Sequence, residues 1–111
     1  MVFAHLRARA PICCGLGALA ERPLAVGDLR VRIDQIGAGY GTLTPETADA
    51  LSLAARCEGV VLDPVYTGRA LAGLRAAVRD GEIRPGETTV LVHTGGLPGF
   101  FGHSTIPAML G

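Results

Sequence analysis

The sequence predicts an α/β fold, with a partial parallel sheet in a three-layer arrangement of strands and helices. Strand-like and helical segments alternate along the chain in the order strand, helix, strand, helix, strand. Helical connections of this kind favour parallel pairing of the strands they join. The length of 111 residues limits the chain to one small domain, and an apolar fraction of 49% favours a soluble, folded chain.

The first strand is predicted where Leu29, Val31 and Ile33 alternate with charged residues, a pattern typical of a strand with one exposed face. A glycine-rich loop follows at residues 37–41. This loop lacks the glycine spacing of a dinucleotide-binding motif and does not open a helix. The loop therefore ends the first strand without identifying a nucleotide site.

The first helix is predicted to begin at Thr44-Pro45-Glu46. Thr44 can cap the helix, Pro45 suits its first turn, and Glu46 is favourable at the positive end of the helix dipole. Gly59 is predicted to end it, because glycine readily adopts the left-handed conformation common after a helix. The apolar side of this helix consists of Ala48, Leu51, Ala54 and Ala55.

The second half of the chain continues the alternation. A short buried strand is predicted at 60–62 and a second helix at about 69–79, with Gly81 as its stop. The last strand is predicted at 88–92, before the turn Thr94-Gly95-Gly96 and an irregular tail. One side of the second helix is apolar through Leu71, Leu74 and Val78.

Residues 1–28 follow this pattern least well. A helix is predicted over 3–10, and Pro11 would stop or bend it. A secretory signal is an open alternative, because Arg7 and Arg9 precede an apolar run, although proline and glycine interrupt that run. No apolar run has membrane-spanning length, so a cytoplasmic protein without a membrane partner is expected.

Charge and cysteine content exclude several classes of protein. Ten acidic and ten basic residues cancel, and the few aromatic residues do not follow an RNA-binding pattern, so no nucleic-acid partner is expected. Cys13, Cys14 and Cys57 match neither a zinc spacing nor a disulfide framework, and buried, unreactive thiols are expected. No metal site is predicted for the cysteines and histidines.

Hydroxyl groups follow each of the three predicted strands. Tyr40 lies in the first loop, Tyr66 and Thr67 in the second, and Thr94 in the third. Because parallel strands end at one edge of a sheet, we expect these groups to lie together and bind a flat, polar ligand. A tyrosine there can stack, donate a hydrogen bond or transfer a proton. Alternatively, the two tyrosines only fill interface positions.

Five short motifs in residues 37–102 resemble, in their order and spacing, those of one enzyme family. They are Gly39-Tyr40-Gly41, Thr44-Pro45-Glu46, Leu62-Asp63-Pro64-Val65-Tyr66-Thr67-Gly68, Gly81-Glu82-Ile83 and His93-Thr94-Gly95-Gly96. The set resembles the C-terminal part of the D-cysteine desulfhydrase and 1-aminocyclopropane-1-carboxylate deaminase family, pyridoxal-phosphate enzymes of the tryptophan-synthase-β fold type. The resemblance implies that residues 29–111 are the C-terminal piece of a fold-type II domain that binds pyridoxal 5′-phosphate, whereas residues 1–28 match poorly.

The resemblance also implies roles for the site residues. Tyr40 and Tyr66 match the family's two active-site tyrosines, one of which is a nucleophile or a proton-transfer group in the deaminase. Thr94 matches the hydroxyl that faces the pyridine nitrogen in desulfhydrase-like members, with Gly95 and Gly96 beside it in the cofactor wall. The catalytic residues implied are therefore the two tyrosines.

Thr67 stands where the deaminase carries an acidic residue against the pyridine nitrogen. A carboxylate there keeps the nitrogen protonated and the electron sink strong, as the opening of a cyclopropane ring demands. A neutral hydroxyl gives a weaker sink, and β-elimination from a cysteine-like substrate asks less of it. Thr67 therefore favours a desulfhydrase, a lyase that gives pyruvate, sulfide and ammonia from an amino acid.

The chain departs from this family in one decisive respect, because all ten basic side chains are Arg and no Lys is present. The family's Schiff-base lysine and its phosphate-binding loop lie upstream of the matching motifs. We therefore expect a C-terminal fragment that is inactive alone and that acts with a complementary N-terminal chain or as a homo-oligomer. The alternative is a non-catalytic small α/β module that binds a ligand or partner through the same edge loops.

Overall fold

The computed structural model describes residues 30–110, and those from Ile33 onward form one compact unit. Within these residues the chain forms four helices, which are α1 (Pro45–Glu58), α2 (Thr67–Arg79), α3 (Leu97–Gly102) and α4 (Ile106–Leu110). The predictions made for residues 1–29, including the helix over 3–10 and the signal-peptide alternative, lie outside the described residues.

Helix α1 begins and ends where the sequence predicts. The Thr44 hydroxyl accepts a hydrogen bond from the backbone N–H of Thr47 at 3.2 Å and so caps the first turn. Gly59 closes the helix with a left-handed φ of 63°, and its N–H donates to carbonyl oxygens of the last turn. Local capping chemistry alone therefore determines both ends of α1.

Helix α2 begins at Thr67, two residues before the predicted start, and ends at Arg79 as predicted. The earlier start has a physical cause. The side chain of Asp63 accepts backbone N–H groups just ahead of the helix and allows its first turn to form at Thr67. Gly81 follows the helix with a φ of 75°, in agreement with its predicted role as the stop.

Helices α1 and α2 pack against each other through small side chains. The contact faces contain Thr47, Ala50, Leu51 and Ala54 of α1 and Ala72, Gly73, Ala76 and Ala77 of α2, all of them buried. Of the predicted apolar side of α1, Leu51 and Ala54 are confirmed as buried, whereas Ala55 is exposed. A face of alanine and glycine lets two backbones approach closely, and this close approach defines the centre of the unit.

The predicted apolar side of α2 is not its buried side. Leu71 and Leu74 are half-buried, and Val78 is 53% exposed. The buried side of α2 instead carries Ala72, Gly73, Ala76 and Ala77. The remaining apolar core lies beside α1 and comprises Leu51, Ala54, Leu62 and Ile106, with Leu43, Leu71 and Phe100 packed around it.

The parallel sheet predicted from 29–33, 60–62 and 88–92 does not occur among residues 30–110, and the prediction of strands is wrong for this part of the chain. Strand formation is non-local, because a β-branched segment becomes a strand only beside a neighbour that pairs with its backbone. The carbonyl oxygen of Val61 contacts the His93 ring instead of a backbone N–H. The β-branched side chains stay exposed, and Val90 is 79% exposed.

The tail after residue 96, predicted to be irregular, instead forms the short helices α3 and α4. Ile106 is 3% exposed and joins the core beside α1, and Phe100 packs around that core. This burial explains the order of the tail, because apolar contacts with α1 offset the conformational entropy lost by the segment.

Cys57 is a free, exposed thiol, so the expectation of a buried thiol is wrong for this residue, while Cys13 and Cys14 lie outside the described part. None of the helices formed by residues 30–110 has the length and apolar character required to cross a lipid bilayer.

We expect Gly68→Ala to lower the free energy of unfolding by about 1–3 kcal/mol, although alanine is the better helix former. A Cβ at this position would lie 2.7 Å from the Asp63 carbonyl oxygen and 2.9 Å from Cδ2 of Leu51. Urea denaturation followed by far-ultraviolet circular dichroism measures the change. The matched control is Gly102→Ala, whose Cβ meets nothing within 4 Å and whose effect should stay within about 0.5 kcal/mol. Equal effects at both positions would contradict close packing at Gly68.

Candidate functional site

The carboxylate of Asp63 organises the turn that precedes α2. Asp63 is 1% exposed. Its Oδ2 accepts the backbone N–H groups of Val65 at 2.8 Å and Tyr66 at 2.7 Å. Its Oδ1 accepts the backbone N–H of Thr67 at 2.8 Å and the hydroxyl of the same residue at 2.7 Å. One buried side chain thus fixes the backbone that carries both Tyr66 and Thr67.

The pKa of the Asp63 carboxyl reflects two opposing effects. Burial raises this pKa, but the hydrogen bonds from the Thr67 hydroxyl and from the backbone N–H groups of Thr67, Tyr66 and Val65 lower it more. The net pKa lies below the ordinary value of 3.8. Asp63 is therefore an ionised carboxylate at neutral pH, and its ionisation stabilises the folded turn.

The two tyrosines of the chain meet at this turn. Their hydroxyl groups are hydrogen-bonded to each other, and their rings lie edge to face with centroids 6.3 Å apart. Tyr40 is 82% exposed and Tyr66 is 54% exposed, so neither ring fills an interface within the described unit. The two tyrosines predicted from the sequence to lie together do so in the structure. They meet at this turn and not at the edge of a parallel sheet, which was the predicted arrangement. Their catalytic roles stay predictions.

The phenol of Tyr66 holds its proton more tightly than an isolated tyrosine. The hydrogen bond with Tyr40 raises the pKa of Tyr66 above the ordinary value of 10.0, and the charge of an ionised Tyr40, partial burial and the Asp63 carboxylate raise it further. Tyr66 is therefore a neutral phenol across the neutral pH range. In this state it can donate a hydrogen bond or a proton, whereas a phenolate nucleophile is disfavoured.

The Thr94-Gly95-Gly96 turn approaches the same carboxylate. A Cβ at Gly96 would lie 2.5 Å from Oδ1 of Asp63, and the φ of Gly96 is 123°. Both observations require glycine, because a side chain would collide with Asp63 and would not tolerate this backbone conformation. Asp63 thus connects the turn of Tyr66 with the turn of Thr94, whose own side chain is exposed.

His93 fixes the start of this turn. Its Nδ1 accepts the backbone N–H of Gly95 at 3.2 Å, so the proton of a neutral ring lies on Nε2, which donates to the carbonyl oxygen of Val61 at 3.2 Å. The ring is exposed to solvent. His93 therefore links the turn to the segment that precedes Asp63 and has a structural role here.

The hydroxyl of Thr67 is engaged within the turn. Thr67 is 4% exposed. Its hydroxyl accepts the backbone N–H of Asp63 at 2.9 Å and donates to the Asp63 carboxylate. Of the two threonines that the sequence analysis assigned to a cofactor, only Thr94 presents its hydroxyl to solvent in this structure.

Three residues that organise the site were missed in the sequence. Asp63 had a usable signal, because the side chain of an aspartate in a turn commonly accepts the backbone N–H two residues further on, here that of Val65. Arg69 and His103 had none, since both act on backbone carbonyl oxygens that are distant in sequence. Arg69 contacts the carbonyl oxygens of residues 36, 39 and 42, and His103 contacts that of residue 41.

A separate apolar cavity of about 500 Å³ lies away from the tyrosine pair. It is lined by Leu53, Ala54, Cys57, Glu58, Val60, Leu62, Leu71, Leu91 and His93. Within residues 30–110, no three His, Cys, Asp or Glu side chains are grouped as ligands of a metal ion. The polar candidate site is thus the set of hydroxyls around Asp63, and the cavity is a distinct apolar surface.

The family model that matches this site is that of the pyridoxal-phosphate dependent enzymes, which covers residues 11–95. The chain therefore belongs to the family of pyridoxal-phosphate dependent enzymes, as the motifs around Tyr40, Tyr66 and Thr94 predicted. Members of this family use pyridoxal phosphate as their cofactor.

Curated relatives carry the names of two enzymes. The chain is 38% identical over 85 residues to a 1-aminocyclopropane-1-carboxylate deaminase of Burkholderia vietnamiensis (strain G4 / LMG 22486), covering 77% of this chain and 25% of the relative. It is 39% identical over 79 residues to a D-cysteine desulfhydrase of Klebsiella pneumoniae (strain 342), covering 71% of this chain and 24% of the relative. A deaminase of Burkholderia ambifaria is 35% identical over 85 residues, covering 77% of this chain and 25% of the relative. The chain thus spans about a quarter of the length of these relatives.

We expect Asp63→Asn to lower the free energy of unfolding at neutral pH by about 1–3 kcal/mol, because an amide cannot replace both acceptor oxygens of the carboxylate. The pKa of Asp63 is depressed in the folded state, so its stabilisation is complete above the ordinary carboxyl pKa of 3.8 and is lost as the pH falls through the folded-state pKa. The difference between the two proteins should therefore shrink on acidification. Denaturant titrations at several pH values measure it.

The control for this comparison is Asp49→Asn, at an exposed position of α1. This substitution should change the free energy of unfolding by less than about 0.5 kcal/mol at every pH. A difference between wild type and Asp63→Asn that stays constant down to strongly acidic pH would refute the role of the ionised carboxylate.

Alkaline titration should reveal the tyrosine pair directly, because the chain has two tyrosines and no tryptophan. We expect the near-ultraviolet absorbance of tyrosinate in the wild type to include a phase above pH 10.0, assigned to Tyr66. In Tyr40→Phe, Tyr66 should titrate in one phase at lower pH, since its hydrogen-bond partner and that partner's charge are gone. If the titration midpoint of Tyr66 is not lower in Tyr40→Phe than in the wild type, the hydrogen bond between the two tyrosines is contradicted.

Proposed function

We propose that this chain forms the ring-side wall of a pyridoxal-phosphate active site for β-elimination from D-cysteine or a similar small amino acid. It acts there together with a complement that carries the lysine. The Tyr40–Tyr66 pair carries the proposal, because two exposed phenols are hydrogen-bonded at the turn that Asp63 holds against Gly96. The curated relatives support the substrate class, since their names refer to D-cysteine and to 1-aminocyclopropane-1-carboxylate.

The side chains present fit the ring side of the cofactor and not its covalent anchor. The exposed hydroxyls of Tyr40, Tyr66 and Thr94 suit hydrogen bonds and stacking at a flat polar ring. Gly95 and Gly96 would let that ring approach the backbone. The covalent anchor is missing, because no Lys occurs in the sequence. When bound, pyridoxal phosphate supplies an electron sink for the electrons left at the substrate α-carbon.

In this proposal Tyr66 donates a proton to the leaving sulfur atom. Its raised pKa keeps a proton on the phenolic oxygen at neutral pH, and the hydrogen bond to Tyr40 orients that oxygen. A sulfur atom that leaves the substrate β-carbon takes the C–S electron pair and needs a proton. Tyr66 is suited to donate it, and Tyr40 is suited to share and replace the proton through the hydroxyl pair.

In this proposal, the residues that would face the ring nitrogen of the cofactor favour elimination over ring opening. Thr94 offers a neutral hydroxyl, and the Thr67 hydroxyl is engaged by Asp63. The Asp63 carboxylate is itself buried and saturated with hydrogen bonds. A cofactor whose ring nitrogen faces a neutral hydroxyl is a weaker electron sink than one whose nitrogen faces a carboxylate. Elimination of a thiolate requires a less powerful electron sink than the opening of a cyclopropane ring does. These contacts support desulfhydrase chemistry over deaminase chemistry.

The complement in this proposal is a polypeptide that provides the lysine and neighbouring strands. Val90 and Val92 are 79% and 65% exposed, and Leu91 and Val60 line the apolar cavity beside α1. Apolar, β-branched surface of this kind is costly to leave in water and favours association.

The test is complementation. The full chain, supplied with pyridoxal phosphate and D-cysteine, should release no more sulfide than the free cofactor. Addition of the lysine-bearing N-terminal polypeptide of the Klebsiella desulfhydrase should restore sulfide release, and replacing its lysine by alanine should abolish it. Sulfide release by the chain alone, or a stable but inactive complex, would refute the proposal. Release of ammonia from 1-aminocyclopropane-1-carboxylate in preference to D-cysteine would assign the deaminase reaction instead.

Within the complemented enzyme, Tyr66→Phe should reduce sulfide release by about 10²-fold or more, the usual contribution of a positioned acid–base group. Asp49→Asn, on the exposed part of α1, is the matched control and should retain full activity. Equal activity of Tyr66→Phe and the wild type would remove Tyr66 from the reaction.

The apolar cavity favours a second candidate, a non-catalytic binding module. Its volume of about 500 Å³ lies in the range of small-ligand pockets, and its lining is largely apolar. An apolar fluorescent probe should bind the folded chain and should not bind the Leu91→Arg variant. This result would support the second candidate if the complement neither binds the chain nor restores activity.

A further inference from the structure

Arg69 is buried on α2 and is bound to three carbonyl oxygens of one loop. The side chain is 5% exposed. Its Nη1 donates to the carbonyl oxygen of Ile36 at 2.6 Å, and its Nη2 donates to those of Gly39 at 3.2 Å and Thr42 at 2.5 Å. Burial of a guanidinium is costly unless its N–H groups are hydrogen-bonded, and here both Nη groups are bonded while the buried Nε has no partner among the described residues. The loop and the helix therefore depend on each other through the Nη contacts.

The loop held in this way, residues 36–42, carries Tyr40 between two of the bound carbonyl groups. A fourth carbonyl, that of Gly41, accepts a hydrogen bond at 2.6 Å from Nε2 of His103. A carbonyl oxygen only accepts, so Nε2 of His103 carries the proton, and Nδ1 accepts the backbone N–H of Thr105 at 3.4 Å. The backbone is thus anchored on both sides of Tyr40, mostly by Arg69.

The Tyr40 side chain itself has almost no packing to hold it. The ring is 82% exposed, and within residues 30–110 it meets Tyr66 through a hydrogen bond and an edge-to-face ring contact. An exposed side chain sampling several rotamers would not keep such a contact by itself. The position of the Tyr40 backbone therefore decides whether the two hydroxyl groups meet.

We infer that Arg69 is a positioning residue, which holds loop 36–42 against α2 so that the phenol of Tyr40 meets that of Tyr66. Tyr66 immediately precedes Thr67, the first residue of α2, and Arg69 lies in the first turn of the same helix. One helix therefore fixes both tyrosines, through Asp63 for Tyr66 and through Arg69 for Tyr40. The value of this arrangement for catalysis rests on the proposed function, whereas the arrangement itself does not.

Arginine is suited to this task in a way that lysine is not. A guanidinium presents five N–H donors in a rigid plane and can serve acceptors spread along a loop. An ammonium is a single centre on a flexible stem and cannot reach carbonyl oxygens of residues 36, 39 and 42 together. Arg69→Lys therefore keeps the charge and removes the geometry.

The experiment is a double-mutant comparison of tyrosinate titrations on the full chain. We expect Arg69→Lys to lower the upper midpoint, that of Tyr66, to the value found in Tyr40→Phe. In a Tyr40→Phe background, Arg69→Lys should leave the Tyr66 midpoint unchanged, because the partner through which Arg69 acts is gone. Arg75→Lys, at an exposed position on α2, is the matched control and should leave the wild-type titration unchanged.

Arg69→Gln provides a second variant, since an amide donates to a carbonyl oxygen without placing a charge in the interior. It should lower the upper midpoint as Arg69→Lys does. An unchanged midpoint in either folded variant, or an equal shift with and without Tyr40, overturns the inference. Loss of helical circular dichroism in both variants would assign Arg69 to folding of the whole unit and would also overturn it. The titration uses neither cofactor nor complement, so its outcome is independent of the elimination assay.

Discussion

The buried carboxylate of Asp63 accepts four hydrogen bonds, and all four donors belong to the turn that carries Tyr66 and Thr67. This turn starts α2 two residues earlier than residue patterns predict and fixes the Tyr66 backbone. The same side chain limits position 96 to glycine, which brings the turn after Thr94 against it. The described part of the site is therefore built around one ionised group whose own pKa is lowered by the contacts it makes.

Helix α2 relates the separate loops of the site to each other. Asp63 attaches the turn of Tyr66 to its start, and Arg69 attaches the loop of Tyr40 to its first turn. Neither tyrosine is held by burial of its ring, which is unusual for a pair of aromatic side chains in close contact. Backbone anchoring leaves both phenols open to solvent.

Sequence patterns predicted those features that depend on near neighbours. Both ends of α1 follow from the capping residues Thr44 and Gly59, and the end of α2 follows from the glycine after it. The strands at 60–62 and 88–92 were predicted wrongly, because pairing depends on segments that are remote in sequence or outside residues 30–110. The meeting of Tyr40 with Tyr66 was predicted from a sheet edge, but an arginine bound to backbone carbonyl oxygens achieves it. Backbone acceptors leave no mark in a sequence, so that contact could not have been foreseen.

The capped start of α2 also determines which charges this end of the site accepts. The N-terminus of a helix ordinarily attracts anions through its exposed backbone amides and the positive end of its dipole. Here the amides of residues 65, 66 and 67 are taken by Asp63, and a negative charge stands in their place. A phosphate or substrate carboxylate brought to this end of α2 would meet repulsion instead of free amides. In the proposed site, the anionic groups of a bound molecule would therefore point away from this end of α2 and its neutral part towards the tyrosines.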